Sequence, residues 1–406
     1  MDSLETIGLA GPEAETGLAS PVDLSCDRDQ LTAAIGAVQR AVSSRTTLPI
    51  LSGMLIETTP EGLRLVGTDL ELSVETYIPV SSTGAAAMVL PARYLGEIVR
   101  RLPEREVRIT FDGAKRVATI SSGKAVYDIN SMEPGEFPLF PQVEGELWWK
   151  VAGRQLAEFV KQTAFAAATD ENRPFLTGVL VALDGDGVRL VATDTFRLAL
   201  RKVNFSSDEG CAAAPSAPSA PSSNARQMIV PARAFAEVGR IVQAEQEEVE
   251  IYASANQVAF KCGKTTVVSR LIDGQFPNYE RVIPRTWKSR MVVERPKLLE
   301  AVERVAVLGK DEFGTVKLGF GGDTVTISAN APDVGTAFEE MTVGTSEGET
   351  GETALRARYL LDALRAVDDE EITLEVTGPI SPVVLKRPGE QAGDYLYLIM
   401  PVTVNA

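Results

Sequence analysis

LSGMLIETTPEGLRLVGTD, residues 51–69, returns as LTGVLVALDGDGVRLVATD, residues 176–194. The spacing is 125 residues throughout (176 less 51) and no gap is needed. Nine of the nineteen positions are identical: Leu51/Leu176, Gly53/Gly178, Leu55/Leu180, Gly62/Gly187, Arg64/Arg189, Leu65/Leu190, Val66/Val191, Thr68/Thr193 and Asp69/Asp194. Unrelated stretches would share about one identity by chance, so the chain contains internal repeats.

Working outward, each copy sits in the same succession of elements. Before the first, Leu31, Ile35, Val38 and Val42 recur at helical spacing within residues 22–44, with Asp27 placed as N-cap, and predict one amphipathic helix. The repeated stretch predicts strands over 51–57 and 63–75 around a turn at Pro60-Glu61-Gly62. MVLPARYLGEIVRRLPE then reads as a strand running through Pro91 into a helix, with strands following at 107–111, 117–121 and 125–130, and GEFPLFPQ closing the unit.

The second unit opens with VAGRQLAEFVKQTAFAA and restates the proline helix as IVPARAFAEVGRIVQ, now at a spacing of 140 (231 less 91). The fifteen added residues fall in 206–224, which includes AAAPSAPSAPSS, a composition expected to form a flexible loop. GEFPLFPQ reappears as GQFPNYERVIP. A third, more divergent unit carries ERPKLLEAVERVAVLG, VKLGF, TVTISAN and LRARYLLDALRAV, and ends in IMPVTV. The expected architecture is α+β: three repeated helix-strand domains over 22–146, 147–284 and 285–406, after a disordered extension at 1–21.

Composition narrows the function classes. The 406 residues contain 44% hydrophobic and 24% charged residues, the balance of a globular protein, and no run has the apolar length of a bilayer span. The first residues lack the basic and apolar segments of a secretory signal. Cys26, Cys211 and Cys262 are odd in number and without metal spacing, as suits a reducing cytoplasm. Histidine is absent altogether, which removes the commonest general base and zinc ligand. No catalytic residue, metal or cofactor is expected.

The formal charge of −16 should repel nucleic acid unless positive charge is segregated. The six predicted helices would segregate it if equivalent helices of the repeats point the same way; otherwise their polar faces are ordinary solvated ones. Their polar faces carry Arg28 and Arg40; Arg93, Arg100 and Arg101; Arg154 and Lys161; Arg233 and Arg240; Lys297 and Arg304; and Arg356, Arg358 and Arg365. A common basic lining of this kind can hold a polyanion without reading base sequence.

RTTLPILSG at 45–53, GTDLELSVE at 67–75, ATDTFRLA at 192–199, FPNYERVIP at 276–284 and YLIMPV at 397–402 resemble the bacterial beta sliding clamp family, and the resemblance runs from about Val22 to Val404. It implies a head-to-tail homodimer closed into a six-domain ring around duplex DNA, helices lining the hole and sheets outside, with no chemistry of its own. Implied partners are double-stranded DNA, the replicative polymerase, a clamp loader and repair proteins, the proteins docking through short linear peptides. The DNA-binding candidates are Arg45, Arg93, Arg100, Arg173, Arg233 and Arg240. The implied peptide pocket comprises Leu176, Thr193, Phe196, Arg197, Leu198, Pro277, Arg281 and Val282, joined by Pro382, Met400, Pro401 and Val402. The implied subunit contact sets Tyr127 and Ile129 on a first-domain edge strand against Val307 and Leu308 at a third-domain edge. Where the family often has Gly-His, this chain has Thr195-Phe196, and Thr403 replaces a common terminal arginine.

Two other classes compete with this reading. CGKTT at 262–266 resembles the end of a phosphate-binding loop, but its first glycine would fall at Val258 and strands flank it. Asp69 and Asp194 follow threonine at strand ends, where an acidic residue is expected to form a turn rather than an acid/base pair. A repeat scaffold that binds proteins but not DNA is the remaining alternative.

Overall fold

The computed structural model describes residues 21–43, 47–184, 187–205, 211–213, 226–244, 247–309, 314–389 and 393–402. The chain divides into two compact units, Met1–Phe140 and Pro141–Ala406.

In the first unit the expected single helix over 22–44 is two elements. Val22–Asp27 is a strand with Leu24 and Cys26 turned inward, and helix α1 (Arg28–Val38) follows it. The switch happens at Asp27, whose carboxylate accepts the backbone N–H of Asp29 at 2.9 Å and of Gln30 at 3.0 Å, satisfying amides the first helical turn leaves open. Leu31, Ala34, Ile35 and Val38 form the buried face. The run expected as one strand over 63–75 is also divided, into Gly62–Thr68 and Leu72–Ile78. These two pair with each other, and Gly53–Thr59 and Ala87–Pro91 continue the sheet. Helix α2 (Ala92–Val99) leaves directly from Pro91. A second sheet runs in the order Ser81–Ser82, Val22–Asp27, Glu106–Asp112, Val117–Ser122, Ala125–Asn130.

The repeated stretch is built alike in both units, and the packing accounts for the repeated residues. A Cβ on Gly62 would lie 2.3 Å from the Ile78 carbonyl oxygen, and one on Gly187 would lie 1.9 Å from that of Val203. Gly53 and Gly178 likewise leave no room, with Val89 Cγ1 and Ile229 Cγ2 each 2.5 Å from the added carbon. Leu65 and Leu190 are wholly buried. Arg64 reaches across its strands to Glu57 and to Glu75 (2.9 Å), while Arg189 bonds Glu280 at 2.9 Å and the Tyr279 hydroxyl at 3.2 Å. Asp69 Oδ1 accepts the N–H groups of Glu71 and Leu72, and Asp194 Oδ1 those of Phe196 and Arg197. Both aspartates are turn formers, as expected.

The second unit holds helices α3 (Gly153–Thr163), α4 (Ala232–Ala244), α5 (Arg295–Val305) and α6 (Ala357–Ala366). Its main sheet has nine strands in the order Arg226–Pro231, Gly178–Asp184, Gly187–Thr193, Arg197–Asn204, Tyr395–Ile399, Val383–Lys386, Glu371–Val376, Ser289–Glu294, Thr345–Gly348. The middle pairing, Arg197–Asn204 with Tyr395–Ile399, fuses the second and third repeats into one sheet. The remaining strands form a group of five, Cys211–Ala213, Glu146–Ala152, Glu248–Ala253, Gln257–Cys262 and Thr265–Arg270, and a sheet of four, Gly335–Thr342, Thr324–Ala331, Thr315–Gly321 and Gly351–Arg356. Most of the 206–224 insertion lies outside the described residues, but Cys211–Ala213 is a short strand, paired with Trp149–Val151, where a loop was expected. The expected disordered extension at 1–21 also lies outside them, except for Pro21.

Candidate functional site

At one end of the nine-stranded sheet the chain turns sharply between Thr193 and Arg197. The Thr193 hydroxyl donates to the Arg197 carbonyl at 2.6 Å and accepts the Thr195 N–H at 3.1 Å. Thr195 takes φ 79°, a left-handed conformation that favours glycine. The turn projects Phe196, 48% exposed, and the Phe196 carbonyl accepts the Met400 N–H at 2.8 Å. Met400, 36% exposed, therefore sits beside Phe196, with Pro401 and Val402 following; Val402 N–H donates to the Ala354 carbonyl at 2.8 Å. Pro382 arrives at the same end, because the next residue, Val383, pairs with Ile399, which in turn pairs with Arg197.

Behind this rim, Leu198 packs with Leu180, Val191, Leu200, Val384 and Leu398. Phe276, Tyr279 and Ile283 cover the cluster from the segment that carries Pro277, Arg281 and Val282. Pro277, Arg281 and Val282 themselves are exposed. Leu176 ends the turn Pro174–Leu176 that leads into Gly178–Asp184, and it is buried. Of the expected pocket residues, Leu198 lies in this apolar cluster, while Phe196, Pro382 and Met400 meet at the strand ends beside it; a methionine and a phenylalanine exposed next to an apolar cluster suit an adaptable binding surface.

Arg197 is the residue the structure does not bring to that rim. Strand alternation turns it to the helix side of the sheet, where it is 6% exposed. It donates to Asp194 at 3.0 Å, Asp362 of α6 at 2.6 Å and the Phe165 carbonyl at 2.7 Å, and lies 4.5 Å over the Tyr359 ring. Burial works against its charge, but Tyr397, Asp362 and Asp194 outweigh burial and hold the guanidinium above its ordinary value. Burial also pushes the Tyr397 phenol up. Sequence reasoning missed several contributors, among them Phe276, Tyr279, Ile283, Leu398 and Arg356. Leu398 belongs to the cluster, as period-two alternation back from Met400 could have shown; Arg356 lies 4.9 Å over the Phe196 ring, a contact with no local signal.

Of the cations expected on the helix faces, some are exposed and some are not: Arg28 bonds the Leu102 carbonyl and Arg356 stacks on Phe196 and Tyr359. In the second unit α3 and α4 border a concavity of ≈1000 Å³ lined by Arg154, Lys161, Arg233 and Arg240, with Glu158, Glu171 and Asp368 among them. Lys161 donates to Asp368 at 2.7 Å, and Arg240 pairs with Glu237. Arg173 precedes the turn at Pro174–Leu176, off any helix, 4.0 Å from Asp170. In the first unit Arg93 and Arg100 are exposed on and just beyond α2. Arg45 lies outside the described residues. Among the described residues there is no acidic, cysteine or histidine group that could hold a metal, and no helix long and apolar enough to cross a membrane.

Residues 22–141, 150–278 and 280–403 match, in that order, the N-terminal, central and C-terminal domains of the DNA polymerase III beta subunit. The beta sliding clamp of Staphylococcus aureus is 30% identical over 392 residues, covering 94% of this chain and 99% of that protein. The chain belongs to the beta sliding clamp family. Solved clamps agree with its fold: the Bacillus subtilis DNA polymerase sliding clamp superposes with a TM-score of 0.84 at 30% identity, covering 95% of this chain and all of that one. A Pseudomonas aeruginosa sliding clamp, described as bound to griselimycin, superposes with a TM-score of 0.83 at 27% identity over the same shares.

Among the described residues, Ala125–Asn130 and Gly335–Thr342 are each an edge strand of a sheet. Ala125–Asn130 ends its sheet with Tyr127 41% and Val126 62% exposed, whereas Ile129 is turned inward at 8%. In the third repeat Gly335–Thr342 is one edge of its four-stranded sheet, with Phe338 67% exposed. Val307 and Leu308 are not on that strand but in the turn after α5; Val307 is exposed and Leu308 half-buried. Arg304 of α5 ties the helix to the edge strand through Glu339 at 2.8 Å.

Proposed function

We propose that this chain is a DNA sliding clamp, a non-catalytic processivity factor in which two copies join head to tail as a closed ring around duplex DNA. Family membership across nearly the whole chain is the observation that carries it. The basic helix faces supply sequence-independent attraction to phosphates, with Arg93, Arg100, Arg173, Arg233 and Arg240, and Arg45 beyond the described residues, as the contacts. The edges at Ala125–Asn130, with Tyr127 and Ile129, and at Gly335–Thr342, with Val307 and Leu308 in the turn after α5, supply the subunit contact. Phe196, Leu198, Val282, Pro382 and Met400 receive the linear peptides of a polymerase, a loader and repair proteins in the cytoplasm, and Arg197 braces the site from behind.

The test is topological. Loaded with a clamp loader and ATP, the protein should remain on nicked circular DNA and slide off once the circle is linearised. Equal loss from circles and linear DNA would return the chain to the class of protein-binding repeat scaffolds. Phe196→Ala should weaken a polymerase-tail peptide about tenfold or more without changing retention on circles.

A further inference from the structure

Helix α2 carries an aromatic side chain where the fold has no use for one. Tyr94 is 62% exposed, between the buried Ala92 and Leu95. Residues 93, 94 and 97 are exposed neighbours on the helix surface, and the exposed Arg100 and Arg101 follow in the turn that ends it. That side therefore presents Arg93, Tyr94, Glu97 and Arg101, with Arg100 beyond. Glu97 lies 3.3 Å from Arg93 and 3.7 Å from Arg101, and its backbone carbonyl accepts from Arg101 at 2.9 Å. Both guanidinium groups nonetheless remain largely in solvent, 79% and 70% exposed. Three arginines against one glutamate leave that side positive around an open aromatic ring.

The equivalent positions in the other repeats behave differently. Ala234 of α4 is small and buried, and Tyr359 of α6 is covered by Arg197 and Arg356. Only in α2 does the position combine a large ring with exposure. A phosphate backbone needs the arginines alone, and the base faces of a duplex are already stacked on one another. A free aromatic face flanked by cations suits bases that have no stacking partner.

We propose that Tyr94, framed by Arg93 and Arg101, is a stacking contact for unpaired bases of single-stranded DNA. This extends the clamp reading, in which α2 meets DNA only through phosphates, and it is tested on the full chain without a loader. Fluorescence anisotropy is measured with a labelled single-stranded oligonucleotide and with a duplex of the same length, at several salt concentrations. Tyr94→Ala should weaken the single strand about five- to hundredfold, leave the duplex within about twofold, and keep the salt slope. Tyr94→Phe, which retains the ring, should bind both as the wild type does, and far-UV circular dichroism checks that each variant is folded. Equal single-strand affinity for wild type and Tyr94→Ala overturns the proposal; so do a proportional loss for both DNAs and a wild type that does not bind the single strand. Failure of the clamp reading shows separately, as duplex binding that Arg93→Ala leaves unchanged in affinity and salt slope.

Discussion

Thr195 is a β-branched residue held at φ 79° in an exposed turn. That conformation costs a non-glycine residue about 1–2 kcal/mol, partly offset by the smaller entropy threonine loses on folding. The Thr193 hydroxyl bonds the Thr195 backbone, so that contact survives loss of the side chain. Thr195→Gly should therefore stabilise the second unit by about 0.5–1 kcal/mol, read as a higher denaturant midpoint. Two residues on, Arg197 has the opposite sensitivity. Arg197→Met would leave Asp362 and the Phe165 carbonyl without their donor, and a loss of about 3–5 kcal/mol in urea unfolding is expected. Its orientation was legible in principle: ATDTFRLALR alternates Arg197, Ala199 and Arg201 against Phe196, Leu198 and Leu200. Its partners Asp362 and Tyr359 lie over 150 residues away and have no local signature.

Among the elements, the start of α1 shows what periodicity can and cannot deliver. The helical spacing of Leu31, Ile35 and Val38 and the capping role of Asp27 were both readable, yet Val22, Leu24 and Cys26 alternate with a period of two and belong to a strand. Helical spacing alone does not mark where the cap stops it. Within 63–75, likewise, Thr68 and Asp69 close a turn that a hydropathy pattern passes over. The Asp27 cap also has a pH signature. A hydrogen bond from Arg105, then the N–H of Gln30, hold its carboxyl below the ordinary 3.8. Because the folded-state value is depressed, its stabilisation is complete above the unfolded-state value and is lost as pH falls through the folded-state one. Asp27→Asn should thus be less stable than wild type at pH 7, and the difference should vanish in strong acid, as unfolding midpoints across pH would show. A constant difference down to the most acidic pH would assign the effect to packing instead.

For the whole molecule, the repeats were legible because identical steric problems, at Gly62 and Gly187 above all, were solved with identical residues. How repeats join was not, since Arg197 and Ile399 are paired across 202 residues (399 less 197). The edge strands lead to a prediction at this scale. Light scattering should give about twice the 43.6 kDa chain mass, and Phe338→Lys, on an exposed position of the edge strand, should return it to one chain without loss of fold. A dimer mass unchanged by the substitution would place the contact elsewhere. The fused nine-stranded sheet carries a different consequence, one of timing. Its fifth strand, Tyr395–Ile399, lies in the middle of the sheet but is the last to be translated. Until that strand emerges, Arg197–Asn204 and Val383–Lys386 each present an unpaired hydrophobic edge. One five-residue strand therefore decides whether the two hundred residues before it can close their core, and a ribosome stalled short of it would leave a sticky, half-built sheet.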